Sequence, residues 1–187
     1  MTDRPLDGRH RAIVRLGSPV LRERAQEVPA DRFGTRFLRD LARDLVRTMF
    51  EDNGVGLAAP QIGVSVRVFA YFVPGEGDRD EVPVSVLVNP TLTLVGEPTE
   101  PGWEGCLSIP GLRGMVARYP TVKVNAFDTD GEPLSFQAEG FHARVIQHEH
   151  DHLDGIVFLD RMRGMDSLMF EEEWERYAPN KELPVEV

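Results

Sequence analysis

The feature that most constrains this chain is a pair of histidines four residues apart in a stretch that is otherwise largely apolar. His148 and His152 enclose Glu149 in an H-E-x-x-H pattern. Because an α-helix turns by roughly 100° per residue, two imidazoles at this spacing lie on one helix face, about 6 Å apart, and can share a metal ion. Glu149 projects beside that face and can reach a water molecule without being a ligand. The spacing is typical of metal-assisted hydrolysis.

The residues around this pattern are those of a buried element. They include Phe141, Val145, Ile146, Leu153, Val157 and Phe158. A helix that carries two histidines, a glutamate and an aspartate into a core must provide partners for them. A metal ion would satisfy these groups together, whereas a histidine cluster held only by hydrogen bonds is the alternative. We therefore predict a metal site.

Length and composition limit the class of protein. The chain has 187 residues, of which 41% are hydrophobic, and nothing indicates a second domain, so we expect one catalytic domain over residues 1–187. The formal net charge of -10 argues against DNA or an anionic membrane as a partner. The N-terminus lacks the apolar run of a signal peptide, and no stretch is long enough to span a bilayer. These features predict a cytoplasmic protein.

The single cysteine, Cys106, is the next candidate for chemistry. One cysteine excludes an internal disulfide, so this thiol is a small core residue, a nucleophile or a metal ligand. Gly105 and Pro110 lie close to it and predict a bent, bulge-prone segment rather than a plain strand. A thiolate within reach of His148 and His152 would complete a set of two nitrogens and one sulfur. The fourth position would then be open for water, as in catalytic rather than structural sites.

A run of small residues at 54–63 supplies a further candidate, Gln61. The run does not complete a nucleotide-binding pattern, but its glycines, Gly56 among them, let a substrate approach the backbone closely. Gln61 offers a neutral N–H donor pair of the type that stabilises an oxyanion. The alternative is a tightly packed loop with an exposed glutamine.

Periodicity predicts the secondary structure around these motifs. Apolar residues repeat at three and four positions from Phe33 to Phe50, which predicts a helix ending near Asn53. Strands are predicted at residues 64–72, 84–89, 91–95, 121–127 and 134–138, mostly in antiparallel pairs. A C-terminal helix is predicted at residues 165–177.

Three motifs together resemble those of peptide deformylases. They are GVGLAAPQ at residues 54–61, EGCLS at residues 104–108 and QHEHDHL at residues 147–153, in the order and at separations compatible with that family. The resemblance covers most of the chain from about Gly17 onwards. It implies an α+β fold, with antiparallel or mixed β-sheets around a central metal-binding helix that carries H-E-x-x-H, plus one N-terminal and one C-terminal helix. It also implies hydrolytic removal of the N-formyl group from the N-terminal methionine of newly made polypeptides, with release of formate.

The resemblance further implies the metal and its ligands. Cys106, His148 and His152 match the ligands of one divalent metal ion, which is commonly Fe(II) and can be replaced by Zn, Ni or Co. Glu149 would take a proton from water and deliver it to the leaving amine. The Gln61 amide and the Leu107 backbone N–H would meet the oxyanion.

Other positions are implied for substrate binding. Arg113 resembles a residue that helps to hold the peptide backbone, with an ordinary surface arginine as the alternative. Val55 and Phe141 match positions near the methionine pocket, although plain core packing explains them equally well. Glu104 or Asp151 is a candidate for orienting a ligand histidine. His150 lies two residues along the helix from each ligand, so we do not count it as a ligand.

The expected partners are N-formyl-methionyl peptides and nascent chains. Some deformylases dock on the ribosome through a basic C-terminal helix, but the predicted helix here carries four glutamates between Glu171 and Glu175. Only a transient ribosome contact is therefore expected.

Two alternatives remain open from the sequence. In a thermolysin-like zinc metalloprotease, a glutamate in the segment from Glu171 to Glu175 would be the third ligand, and Cys106 and Gln61 would be incidental. In a structural metal module, four protein ligands would bind the ion, and Glu149 would have no role.

Overall fold

The computed structural model describes residues 7–75, 77, 80–98, 100–178 and 185–186, and in this part the chain forms two β-sheets and four α-helices. The strands are β1 (Gly56–Ala58), β2 (Val68–Val73), β3 (Val82–Val95), β4 (Glu100–Cys106), β5 (Ile109–Arg118), β6 (Thr121–Phe127), β7 (Pro133–Glu139), β8 (Met169–Phe170) and β9 (Val185–Glu186). The helices are α1 (Arg36–Glu51), α2 (Gly140–Leu153), α3 (Phe158–Arg161) and α4 (Glu171–Tyr177). The expectation of antiparallel sheets with a few helices is confirmed. None of these helices combines the length and the apolar character needed to cross a bilayer.

The first sheet has the strand order β1-β2-β3-β6-β7, and every neighbouring pair in it is antiparallel. Its second strand is buried on both faces because successive side chains of a strand point in opposite directions. Val68 and Ala70 pack with α1, whereas Phe69 and Tyr71 pack with α2. Strand β2 is therefore enclosed between these two helices.

Helix α1 follows from the predicted amphipathic pattern. The Thr35 side chain caps its N-terminus by accepting from the Leu38 N–H, and Leu45 and Met49 on its inner face are fully buried. The chain leaves the helix through Asn53, which adopts the left-handed conformation with φ of 60°. This exit leads directly into the glycine-rich run that contains β1.

The second sheet has the order β8-β5-β4-β9. Strands β4 and β5 form an antiparallel hairpin whose register shifts between Glu104 and Cys106, which confirms the expected bulge before the thiol. Strand β8 pairs antiparallel with β5, and β9 pairs parallel with β4. The sequence patterns predicted neither β4 nor β5 as a strand.

Helix α2 lies between the two sheets. Ala143, Val145 and Ile146 belong to the core cluster on the first sheet. The same helix contains His148, Glu149 and His152, which are also buried. An apolar face thus fixes the helix on the first sheet while polar side chains meet the β4–β5 hairpin.

Three predicted boundaries were wrong. The helix predicted at residues 165–177 is limited to α4, because Met169 and Phe170 pair with Leu112 and Arg113 on the edge of β5. The strands predicted at 84–89 and 91–95 are one strand, β3, which is interrupted in register where Asn89 has a φ of 49°. The strand predicted at 64–72 begins only at residue 68.

Gly155, which follows α2, provides a test of this packing. It has a φ of 73°, and a Cβ there would lie 2.7 Å from the Arg22 carbonyl group. We expect Gly155→Ala to combine the left-handed penalty of about 1–2 kcal/mol with an overpacking penalty of about 1–3 kcal/mol. Gly96→Ala is the matched control, because Gly96 is also left-handed but has open space around it. Urea unfolding that gave equal losses for the two variants would contradict the close approach.

Candidate metal centre

Three buried donor groups meet where α2 faces the β4–β5 hairpin. Cys106 ends β4, and His148 and His152 lie one helical turn apart on α2. One donor atom from each lies within 4.8 Å of the other two, and Cys106 Sγ is 3.3 Å from His152 Nε2. Among the described residues, these three form the one group of histidine, cysteine and acidic side chains with donors close enough to share an ion.

The donor set fits a divalent metal ion. Two ligands of a tetrahedral ion, at bond lengths of about 2.0–2.3 Å, lie roughly 3.3–3.8 Å apart, and the distance from sulfur to nitrogen agrees with this. His148 Nε2 is buried and has no hydrogen-bond partner among the described residues. A buried imidazole nitrogen without a partner costs free energy, and a metal ion would remove that cost.

The proton on His148 is fixed by Glu104. His148 Nδ1 lies 2.9 Å from Glu104 Oε2. Burial raises the pKa of Glu104, but the charge of Arg118 and hydrogen bonds from His148 and Arg118 outweigh burial and hold that pKa well below its usual range. Because an ionised carboxylate only accepts, Nδ1 must be the donor. The lone pair of Nε2 then points away from Glu104 and is available to a metal.

Burial shifts the pKa values of the other two donors, His152 and Cys106, in opposite directions. Burial lowers the pKa of His152 to about 3, so its imidazole is neutral and can act as a ligand. Burial raises the pKa of the Cys106 thiol to about 12, and the nearby charges of Glu149 and Glu104 contribute to that increase. A divalent cation among the donors would reverse that shift, since a coordinated thiol is deprotonated.

Glu149 is fully buried beside the three donors. Neither of its carboxyl oxygens has a hydrogen-bond partner among the described residues. Burial, followed by the charge of Glu104, raises the pKa of Glu149 well above its usual value. A carboxyl group with a raised pKa and free oxygens is suited to receive and return a proton near neutral pH.

Gln61 lies next to the thiol and is not the exposed loop residue of the alternative interpretation. It is fully buried in a 3₁₀ turn at Ala59–Ile62. Its Oε1 accepts from the Ala58 N–H at 2.8 Å, which orients the amide so that Nε2 faces Cys106 Sγ at 3.6 Å and Ser108 Oγ at 3.3 Å. The donor pair therefore points toward the candidate metal centre.

A cavity of about 350 Å³ opens in front of the thiol. Cys106, Leu107, Arg113 and Glu171 all line it, as does Arg15. Arg113 is 2% exposed and pairs with Glu171, so it is not an ordinary surface arginine. The protease alternative has no support among the described residues, because Glu171 pairs with Arg113 and no glutamate between Glu171 and Glu175 belongs to the donor group.

The predicted methionine-pocket residues lie at the beginnings of β1 and α2. Val55 directly precedes β1, Phe141 is in the first turn of α2, and both are partly buried against the same core cluster. Gly56 is buried in β1, where it pairs with Tyr71. The Val55 and Phe141 side chains both pack against the core, as the packing alternative expects.

Several contacts at the site were missed or undecided in the sequence. Of the two carboxylates considered for orienting a histidine, Glu104 contacts His148, whereas Asp151 binds Arg118 and Arg161. His150 contacts Arg67 and Asp154 instead of the donor group. Ser108 and Arg118 were not predicted as site residues. Buried carboxylates require cationic partners, and this requirement was the only sequence signal for Arg118.

Comparison with known proteins gives a consistent result. The family described as Polypeptide deformylase matches residues 10–167. The chain is 46% identical to peptide deformylase 1 of Nitrosomonas europaea over 82% of this chain and 88% of the relative, and 44% identical to peptide deformylase 2 of Pseudomonas syringae pv. tomato over 86% and 91%. It superposes with a TM-score of 0.75 on a class I type b peptide deformylase of Acinetobacter baumannii bound to Met-Ala-Ser, at 38% identity over 82% of this chain and 99% of that one.

The ligand set can be tested by metal content. We expect Cys106→Ala to lose bound metal because the sulfur donor is removed. Glu171→Ala should retain a full equivalent, because Glu171 is paired with Arg113 rather than directed at the histidines. Elemental analysis of both variants after gel filtration provides the measurement. Metal loss in the Glu171 variant alone would overturn the assignment of Cys106.

Proposed function

We propose that this chain acts with a metal ion bound by Cys106, His148 and His152. The chain belongs to the polypeptide deformylase family and removes the N-formyl group from newly made polypeptides. The observation that carries the proposal is the meeting of these three buried donors beside Glu149. A divalent ion held by these residues would act as a Lewis acid and would lower the pKa of a water molecule toward neutral pH. The helix α2 is then the central metal-binding element of the fold.

Glu149 moves the proton in this proposal. Its unpartnered carboxylate oxygens and raised pKa support a role in taking a proton from water and passing it to the amine that leaves. The new bond joins the water oxygen to the formyl carbon, the carbon–nitrogen bond breaks, and formate and the free amine are the products. The proton that Glu149 receives is the one the amine gains.

Gln61 and Leu107 stabilise the oxygen charge that develops on the formyl group. Hydrogen-bond donors that are already oriented in a site closed to water lower the barrier without reorganisation. Gln61 Nε2 is oriented by the bond from the Ala58 N–H to Oε1, and Leu107 lines the cavity next to Cys106. These two donors come from separate segments, the 3₁₀ turn after β1 and the connection between β4 and β5.

Strands β1 and β5 hold the peptide beside these groups. Arg113 lines the cavity and is proposed to bind the peptide backbone. Gly56, which has no side chain and lies in β1, is proposed to let the peptide approach that strand. Val55 and Phe141 are proposed to contact the methionine side chain. The Met-Ala-Ser peptide bound to the Acinetobacter baumannii relative supports a peptide of this kind as substrate.

We propose Fe(II) as the native ion, with Zn, Ni and Co as replacements. The resemblance of the three sequence motifs implies iron, and the set of one sulfur and two nitrogens also accepts the other ions. We further propose a single catalytic domain that acts in the cytoplasm. Ribosome contact is at most transient, because the glutamates of α4 would repel ribosomal RNA.

The reaction is tested by formate release from formyl-Met-Ala-Ser. Protein purified without oxygen and analysed for metal should release formate. We expect Glu149→Gln to lose about 10²–10⁴-fold in kcat because the proton carrier is removed, while its metal content stays unchanged. Glu172→Gln is the control, because Glu172 lies on α4 and does not line the cavity in front of Cys106. Full turnover by the Glu149 variant would refute the proposed role.

The metal is tested by exposure to oxygen. Oxygen can reach a thiolate-ligated Fe(II) centre through the cavity in front of Cys106, so iron-loaded protein should lose activity in air, and zinc-loaded protein should not lose it at the same rate. Activity is followed over time for iron-loaded and zinc-loaded samples in parallel. Equal lifetimes in air would contradict the oxygen sensitivity expected of the iron-loaded site.

A further inference from the structure

A hydrogen-bond network of polar and charged side chains connects His148 to the protein surface. Glu104 Oε2 lies 2.9 Å from His148 Nδ1, and Arg118 donates from Nε and Nη2 to the two oxygens of Glu104, both at 2.9 Å. Arg118 Nη1 donates to Asp151 Oδ2 at 2.6 Å. Arg161 then donates to Asp151 from Nη2 at 2.6 Å and from Nε at 3.0 Å. Each link is a hydrogen bond between opposite charges except the first.

The inner side chains of this network are deeply buried. Glu104, Arg118 and Asp151 are 0%, 4% and 5% exposed. Burial raises the pKa of Asp151, but Arg118 and Arg161 outweigh it and hold that pKa below its usual value, so the aspartate is ionised. Buried ion pairs of this kind contribute little net stability, because the cost of removing the charges from water offsets their attraction. In this protein, several hydrogen bonds from arginines hold each of the two carboxylates, which fixes their orientation.

Arg161, the outermost side chain of this hydrogen-bond network, reaches solvent. The Arg161 side chain is 46% exposed, and it lines a cavity of about 440 Å³ together with Arg118 and Asp151. His148 is 1% exposed and contacts Glu104 at the inner end. A half-exposed arginine is therefore connected to a candidate metal ligand through three buried side chains.

We propose that Arg161 is a positioning residue for the metal centre. It holds Asp151 with two hydrogen bonds, Asp151 holds Arg118, and Arg118 fixes the carboxylate plane of Glu104. Glu104 in turn fixes the ring of His148 and the direction of Nε2. Arg161 touches neither substrate nor metal in this scheme. The inference rests on the proposed metal site and extends it by a residue that does not line the cavity where the peptide binds.

The test replaces Arg161, whose half-exposed side chain can be changed without removing an apolar group from the core. Arg161→Gln removes the charge and the bidentate contact. We expect the metal dissociation constant, measured by competition with a chelator, to rise about tenfold, near the lower end of the effect of groups that support ligand histidines. The visible absorption bands of the Co(II)-loaded protein should shift, because the direction of one nitrogen ligand changes. Arg161→Lys should recover part of the affinity.

Arg163→Gln is the matched control. Arg163 lines the same cavity, and no ion pair links it to the described residues. Its replacement therefore changes the local charge by the same amount and leaves the hydrogen bonds from Arg161 to His148 intact. Wild-type metal affinity and Co(II) bands in Arg161→Gln would overturn the positioning role, as would an equal change in Arg163→Gln. A lower melting temperature of the metal-free Arg161 variant with unchanged Co(II) bands would also overturn it, since that is a structural role. Failure of the wild-type protein to bind metal would instead refute the proposed function.

Discussion

Glu104 joins the two parts of the site, which are the β4–β5 hairpin with Cys106 and helix α2 with the two histidines. Its carboxylate is fully buried between β5 and α2, and it accepts hydrogen bonds from Arg118 and Arg144 and contacts His148. Removing one partner from such a cluster would leave a charge buried without compensation, which is far more costly than the pair is stabilising. The cluster therefore has one favourable arrangement. In that arrangement the β4–β5 hairpin and the helix are held so that Cys106 meets the histidines.

The helix α2 serves two environments at once. One side packs Val145 and Ile146 into the apolar core of the first sheet, which fixes the helix without using its polar side chains. The other side presents His148, Glu149 and His152 to the hairpin. Since the helix is held by apolar contacts, Glu149 can stay buried although its oxygens have no hydrogen-bond partner among the described residues, which costs free energy. Such a cost is common where a group is kept ready for chemistry.

Much of the candidate site could be predicted from the sequence, because its signals are local. The spacing of His148 and His152 specifies one helix face, and the glycine near Cys106 indicates a bulge. Gln61 could be proposed from its residue type, but its burial and orientation depend on Ala58 and Ser108. Arg118 and Arg161 could not be predicted, because their partners become neighbours only when β5 and α3 pack against α2.

The errors in the predicted secondary structure also arise from contacts between residues that are distant in the sequence. The apolar residues near Met169 have helical spacing, but the open edge of β5 offers backbone hydrogen bonds, and the chain pairs there instead. Asn89 ends one strand pattern and begins another, yet its side chain bonds both backbone groups of Val28, so β3 continues through it. In both cases tertiary contacts outweigh local preference.

The most direct test of the central claim is X-ray absorption at the metal edge of zinc-loaded protein. A site formed by Cys106, His148 and His152 predicts one sulfur neighbour at about 2.3 Å together with nitrogen or oxygen neighbours at about 2.0–2.1 Å, two of them imidazoles. A spectrum with only nitrogen and oxygen neighbours would show that the thiol is not a ligand and would contradict the account.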